Sequence, residues 1–234
     1  MVQIMKTLLY GSMEIKYSIL HTDRKTLGIL VNPDGSIVVK APIDASESKI
    51  FEKVKKRASW IVKQQNFFKS FGQRAPVRKY VSGESHLYMG KQYRLYVREG
   101  KPNSVSFKGR CFEIVCADKS KAGDLMKEWY RERAKIKFVE IAEPVIQQFK
   151  KHGVEPKSLY IQVMESRWGS CTPKGKIILN TELIKAPKPC IEYVVVHEMC
   201  HLLYKNHTKE FHELLHAEMP DWEKWKNKLE KIMY

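Results

Sequence analysis

The segment His197-Glu198-Met199-Cys200-His201 has the most chemically specific spacing in the chain. Two histidines four apart project from one face of a helix, with their rings close enough to hold a single metal ion. Glu198 is rotated about 100° from His197, beside such an ion, where a carboxylate can take a proton from a metal-bound water. Zinc suits this donor set: one ion lowers the pKa of its water towards neutrality and polarises a substrate carbonyl. The surrounding run from Cys190 to Leu203 is apolar enough for a buried helix, and Pro189 suits its first turn.

A catalytic tetrahedral site needs a third protein ligand and one open position. His207 is favoured, because it extends the motif to HExxHxxxxxH. That spacing matches the metzincins, although Tyr204 stands where they place Gly, and Asn206 is available to make the turn. His212 is the alternative third ligand, on a second helical stretch from Lys209 to Glu218. Glu213 and His216 are weaker candidates on the same stretch.

A second constellation is Arg167-Trp168-Gly169-Ser170-Cys171. A glycine there lets the backbone approach a site closely, while Arg167 offers a fixed cation for substrate or oxyanion contacts. The competing reading is a structural turn packed by Trp168. Cys171 and Cys200 read as small buried residues. Lys176–Asn180 reads as an edge strand along which an extended peptide could add by backbone pairing.

These residues need elements to hold them. Glu14–Ile19 alternates with period two, Asn32-Pro33-Asp34-Gly35 is a turn, and Ile37-Val38-Val39 is a short strand. From Asp44 to about Phe71 the apolar spacing becomes helical. Lys49–Lys79 holds ten Lys/Arg and one acid, Glu52, interleaved with Trp60, Phe67, Phe68 and Phe71. That stretch is either an anion-binding face or the solvated side of a core helix. His86–Val97 reads as a hairpin turning at Gly90-Lys91, and Cys111–Cys116 as another strand. Asp124–Lys151 is a long helix, expected to bend at Pro144, with Gly153 as a left-handed terminator. Two strands follow, Leu159–Val163 and Lys176–Asn180, and the rest is helical apart from breaks near Asn206 and Pro220. No internal repeat is visible. The expected fold class is α+β: a β-rich N-terminal module with a basic helix over residues 1–117, then a zincin-like domain over 118–234 with a small sheet and the HExxH helix.

Composition narrows the class. The 234 residues are 43% hydrophobic and 11% aromatic, which is ordinary for a folded protein. No run of about 18 apolar residues is present, so no membrane span is expected. Five cysteines, an odd number without CxxC spacing or a signal-like start, fit reduced thiols in a cytoplasm. The net charge of +16 is uneven: residues 1–117 hold 21 Lys/Arg against 9 Asp/Glu, and residues 118–234 hold 21 against 17. Such an N-terminal field attracts polyanions.

Taken in order, Arg167–Cys171, Ile178-Leu179-Asn180, Tyr193–Leu202, Asn206-His207-Thr208 and Phe211 resemble the YgjP-like metallopeptidase family, itself related to the SprT-like and WLM zinc proteases. The motifs span roughly residues 158–215, and the β-rich N-terminal part is similar to the family's layout. The resemblance implies a zincin-type fold with His197, His201 and His207 as ligands of one zinc ion and Glu198 as base. His212 departs from it, standing where the family often carries Trp after the Phe.

The function expected is a zinc-dependent hydrolase, foremost a metallopeptidase acting on polypeptide through a zinc-bound water and the Glu198 base. Two alternatives draw on the basic N-terminal half. One is a metal-dependent nucleotide pyrophosphohydrolase, for example on UTP, against which stands the lack of a P-loop and of a carboxylate cluster for Mg²⁺. The other is a nucleic-acid-associated protease of SprT-like type.

Overall fold

Period-two alternation places Ile15, Tyr17 and Ile19 on one side of a strand. In the computed structural model, which describes residues 4–11, 13–32, 34–69, 78–164 and 167–233, all three are buried. The strand is β2 (Met13–His21), in a four-stranded sheet with β1 (Ile4–Tyr10), β3 (Gly28–Val31) and β4 (Ile37–Ala41). The order is β1-β2-β4-β3: two antiparallel hairpins joined by the parallel pair β2/β4. Gly35, at φ 82°, makes the β3–β4 turn.

The helical stretch that follows is two helices, α1 (Glu47–Lys56) and α2 (Ala58–Lys69), with Arg57 at the break. Ile50, Val54, Ala58 and Ile61, three or four apart, are all fully buried in the same core as the sheet residues. Phe71 and the rest of residues 70–77 lie outside the described residues, as do the side chains of Phe67 and Phe68.

A second four-stranded sheet holds β5 (Ser85–Tyr88), β6 (Lys91–Glu99), β7 (Ser104–Lys108) and β8 (Cys111–Cys116), in the order β5-β6-β8-β7 with β6/β8 parallel. This repeats the topology of the first sheet, which no residue-by-residue similarity announces. Its first hairpin turns at Met89-Gly90, one residue earlier than the sequence indicated, with φ values of 49° and 79°. The turn's amides bond outward: Met89 N–H donates to the Ile184 carbonyl (2.9 Å) and Gly90 N–H to that of Lys185 (2.9 Å). A Cβ on Gly90 would meet Pro187 at 2.5 Å, so only glycine fits.

Helix α3 (Ala122–Phe149) carries a buried stripe along its whole length, from Ala122 through Met126, Tyr130, Ala134 and Phe138 to Phe149. Pro144 sits within it without ending it, and Gly153 (φ 71°) stops the following turn. Leu95, Phe112, Ile114 and Cys116 of the second sheet share one core with α3 and with everything downstream. The compact units therefore divide at 76/77 and not at 117/118: strands β5–β8 bury their inner face against α3, which binds them to the C-terminal half.

The third sheet contains β9 (Ser158–Gln162), β10 (Gly169–Cys171) and β11 (Lys176–Asn180), ordered β10-β11-β9. β11 is thus central, parallel to β9 and antiparallel to β10, so it offers no free edge. The edges are β9 and the three-residue β10, the latter read from the sequence only as a loop. Helices α4 (Lys188–Cys200), α5 (Lys209–Glu218) and α6 (Trp222–Met233) complete the unit. All five cysteines are free thiols. Among the described residues no helix is long and apolar enough to cross a membrane.

Candidate metal centre

Nine of the thirteen residues of α4 are buried, so the helix is held on nearly every side by α3, α5, α6, β10 and β11. Pro187 precedes it in extended conformation, and Pro189 occupies its first turn. His197 is in the last turn and His201 caps the helix. The chain then folds back through Tyr204, whose amide donates to the Cys200 carbonyl at 2.9 Å, and restarts at Thr208 as α5.

This turn brings His207 to the other two histidines. One nitrogen from each of His197, His201 and His207 lies within 4.8 Å of the others. His207 Nε2 and His197 Nε2 are 3.0 Å apart, and His201 Nδ1 donates to the Tyr204 carbonyl at 2.9 Å, which leaves its Nε2 with a free lone pair. Two imidazole nitrogens sharing one tetrahedral zinc sit about 3.3 Å apart. A backbone carbonyl on the far nitrogen is also how a ligating histidine is commonly oriented. The donor set fits a metal ion.

Phe211, fully buried, is the floor of the cluster: its ring centroid lies 5.1 Å from that of His197 and 4.7 Å from those of His201 and His207. His212 stays outside the cluster, its ring stacked on Trp222 at 5.7 Å and on His207 at 6.2 Å. Glu213 is exposed and faces Lys209 at 3.3 Å, and His216 is exposed.

Burial pushes the His197 imidazole down to about 3, and the neighbouring His201 and His207 rings add to that effect. His207 is shifted down as well, by burial and then by His201 and His212. Rings so crowded favour the neutral form, the form that binds a cation.

Glu198 is only 5% exposed. Burial raises its carboxyl to about 7, against the opposing pull of a Cys171 N–H hydrogen bond and the Arg167 charge. Strand β10 lies hard against it. A Cβ on Gly169 would come within 2.6 Å of Glu198 Oε1 and 2.9 Å of Val194 Cγ1, so any larger residue there must push Glu198 or Val194 aside. Arg167, exposed, lines the cleft of about 640 Å³ that the three histidines, Glu198 and β10 enclose.

Three positioning residues had no assigned role in the sequence: Phe211, Gly169 beyond its general permissiveness, and Asn180. Asn180 is 2% exposed. Its Nδ2 donates to the Met164 and Arg167 carbonyls, each at 2.8 Å, and its Oδ1 accepts from Glu182 N–H at 3.1 Å. It thus pins the loop before β10 to the end of β11. A polar residue closing an apolar strand (Ile177-Ile178-Leu179-Asn180) was the available signal.

The model of the YgjP-like family, metallopeptidase domain, matches residues 25–232. The chain belongs to that family. No curated protein matches it. The YgjP-like match covers most of both compact units, so the family pattern reaches far beyond the histidine motif. Membership supports a metal-dependent hydrolase of the peptidase kind, and the histidine cluster supplies the place where a metal ion could be held.

Proposed function

We propose that the protein is a zinc metallopeptidase in which His197, His201 and His207 hold the ion and Glu198 is the general base. The observation that carries this reading is the convergence of three imidazole nitrogens within 4.8 Å at the end of a buried helix, next to a buried carboxylate. When bound, zinc would acidify a water and polarise the scissile carbonyl.

The chain's own residues do the rest. Glu198 takes the proton of the attacking water and passes it to the leaving amine. Its carboxylate is held by the Cys171 N–H and by the close approach of Gly169, which fix where the proton is received. Arg167, at the cleft wall, stabilises negative charge as it develops on the carbonyl oxygen. The free edge of β10 lies along the same cleft and pairs with an extended polypeptide, presenting its backbone to Glu198.

The test couples metal analysis to a peptide screen. Purified protein should hold one zinc per chain and cleave unfolded polypeptide. Glu198→Gln should keep the zinc and lose activity by about a thousandfold. His197→Ala should lose the zinc while remaining folded. Normal zinc content in that variant, or undiminished cleavage by Glu198→Gln, would overturn the assignment.

A further inference from the structure

The N-terminal unit holds a hollow that the peptidase reading does not use. Lys53, Arg57 and Trp60, spaced by four and three residues across the α1–α2 junction, fall on one side of the helical stretch. They line a groove of about 350 Å³ whose floor is the half-buried Leu27 and Ile29. Trp60 is 38% exposed, a large aromatic left at the surface beside two cations.

Neither Lys53 nor Arg57 has an ion-pair partner among the described residues. Among the described residues no acid lines the groove: Glu47 and Glu52 border a separate hollow, where Glu47 pairs with Lys6 at 2.8 Å. Basic residues in the last turn of α1 favour the helix dipole, which accounts for some of the charge but not for the exposed indole. Lys49, Lys56 and Lys63 extend the cationic surface along the same helices.

An exposed indole flanked by unpaired cations over an apolar floor matches the needs of a nucleobase and its adjoining phosphates. The base stacks on the ring and the phosphates meet Lys53 and Arg57. A duplex hides its base faces, so stacking of this kind selects single strands. We propose that this groove binds single-stranded nucleic acid, with Trp60 as the stacking platform and Lys53 and Arg57 as phosphate contacts. The site is independent of the metal centre and stands or falls apart from the peptidase assignment.

The test is fluorescence anisotropy of a labelled, mixed-sequence single-stranded DNA with the full chain, titrated from low salt upward. Trp60→Ala should weaken binding about tenfold, and Trp60→Phe, which keeps a ring, should restore most of it. Lys53→Gln with Arg57→Gln should weaken binding and make the slope of log K against log salt shallower by about 1.4. A control pair, Lys108→Gln with Arg110→Gln, removes the same charge from the exposed β7–β8 turn and should leave binding unchanged. Should Trp60→Ala fail to fold, Trp60→Phe and the Lys53/Arg57 pair decide the matter. The proposal is overturned if the single strand does not bind at low salt, if duplex DNA binds as tightly, if a free nucleoside monophosphate competes as well per mole as the strand does, or if the groove pair behaves like the control pair.

Discussion

The sheets β1–β4 and β5–β8 follow one plan, two antiparallel hairpins with a parallel pair at the middle, yet the helices laid on them differ. The first is covered by α1 and α2, whose described side chains bury one stripe (Ile50, Val54, Ala58, Ile61) and turn Lys49, Lys53, Lys55, Lys56 and Lys63 to solvent. The second is covered by α3, whose stripe holds the sheet through Met126 and Tyr130 and continues to β9 and α4. A helix buried along one stripe leaves a free face for a partner. One that serves two layers instead passes the rigidity of a large core to α4, and so to His197 and Glu198.

That contrast breaks most readily at Phe211. Phe211→Ala removes the ring beneath all three imidazoles and should cost about 3–5 kcal/mol. Thermal melting would show the loss, and Phe211→Leu, which folds, should still bind zinc more weakly in competition with a chelator.

Gly169→Ala tests the tight joint between β10 and α4. The added methyl must displace Glu198 or Val194, and we expect about 1–3 kcal/mol of destabilisation. Peptide cleavage should fall at least tenfold, more than the stability loss explains at temperatures where the variant is folded. Unchanged turnover would show that the joint does not position Glu198.

Glu218 closes the far end of α5 in the same unit. Its side chain is 2% exposed and accepts from His152 Nε2 at 2.8 Å, Lys151 Nζ at 3.0 Å and Gln148 Nε2 at 2.7 Å. Burial alone would raise this carboxyl, but these hydrogen bonds together hold it below the usual carboxylate range. A depressed folded value means stabilisation that is complete above the ordinary carboxylate pKa and lost as pH falls through the folded one. Glu218→Gln should therefore cost about 1–2 kcal/mol at neutral pH. Melting temperatures of the variant and the parent should converge in acid.

The smallest effect belongs to the one-sided helices. Lys55→Ala, at an exposed position of α1, should change stability by less than about 0.5 kcal/mol. A larger loss would mean that α1 is held by more than its buried stripe.

The convergence of the histidines was largely legible in the sequence, because the four-residue offset of His197 and His201 is set by helix geometry. His207 was legible as a spacing, while its rival His212 could be set aside only once the turn through Tyr204 was seen. Other features depended on pairings that no local pattern encodes. Gly169-Ser170-Cys171 has weak strand propensity and becomes a strand only because β11 and Glu198 accept it. Once it does, Lys176–Asn180 is enclosed on both sides and cannot be the docking edge. The unit boundary was misplaced for the same reason: β5–β8 resemble β1–β4 in pattern, and only their packing on α3 assigns them to the other core. The helix break at Arg57 carries no Pro or Gly to mark it.

The turn at Met89-Gly90 has an experimental use. Amides in a two-residue hairpin turn normally exchange with solvent deuterons in seconds, being the least protected part of a hairpin. These two donate to Ile184 and Lys185, a few residues before the start of α4 at Lys188. Their exchange must wait for that junction to open, so their protection factors report how firmly the helix that carries the histidine cluster is seated.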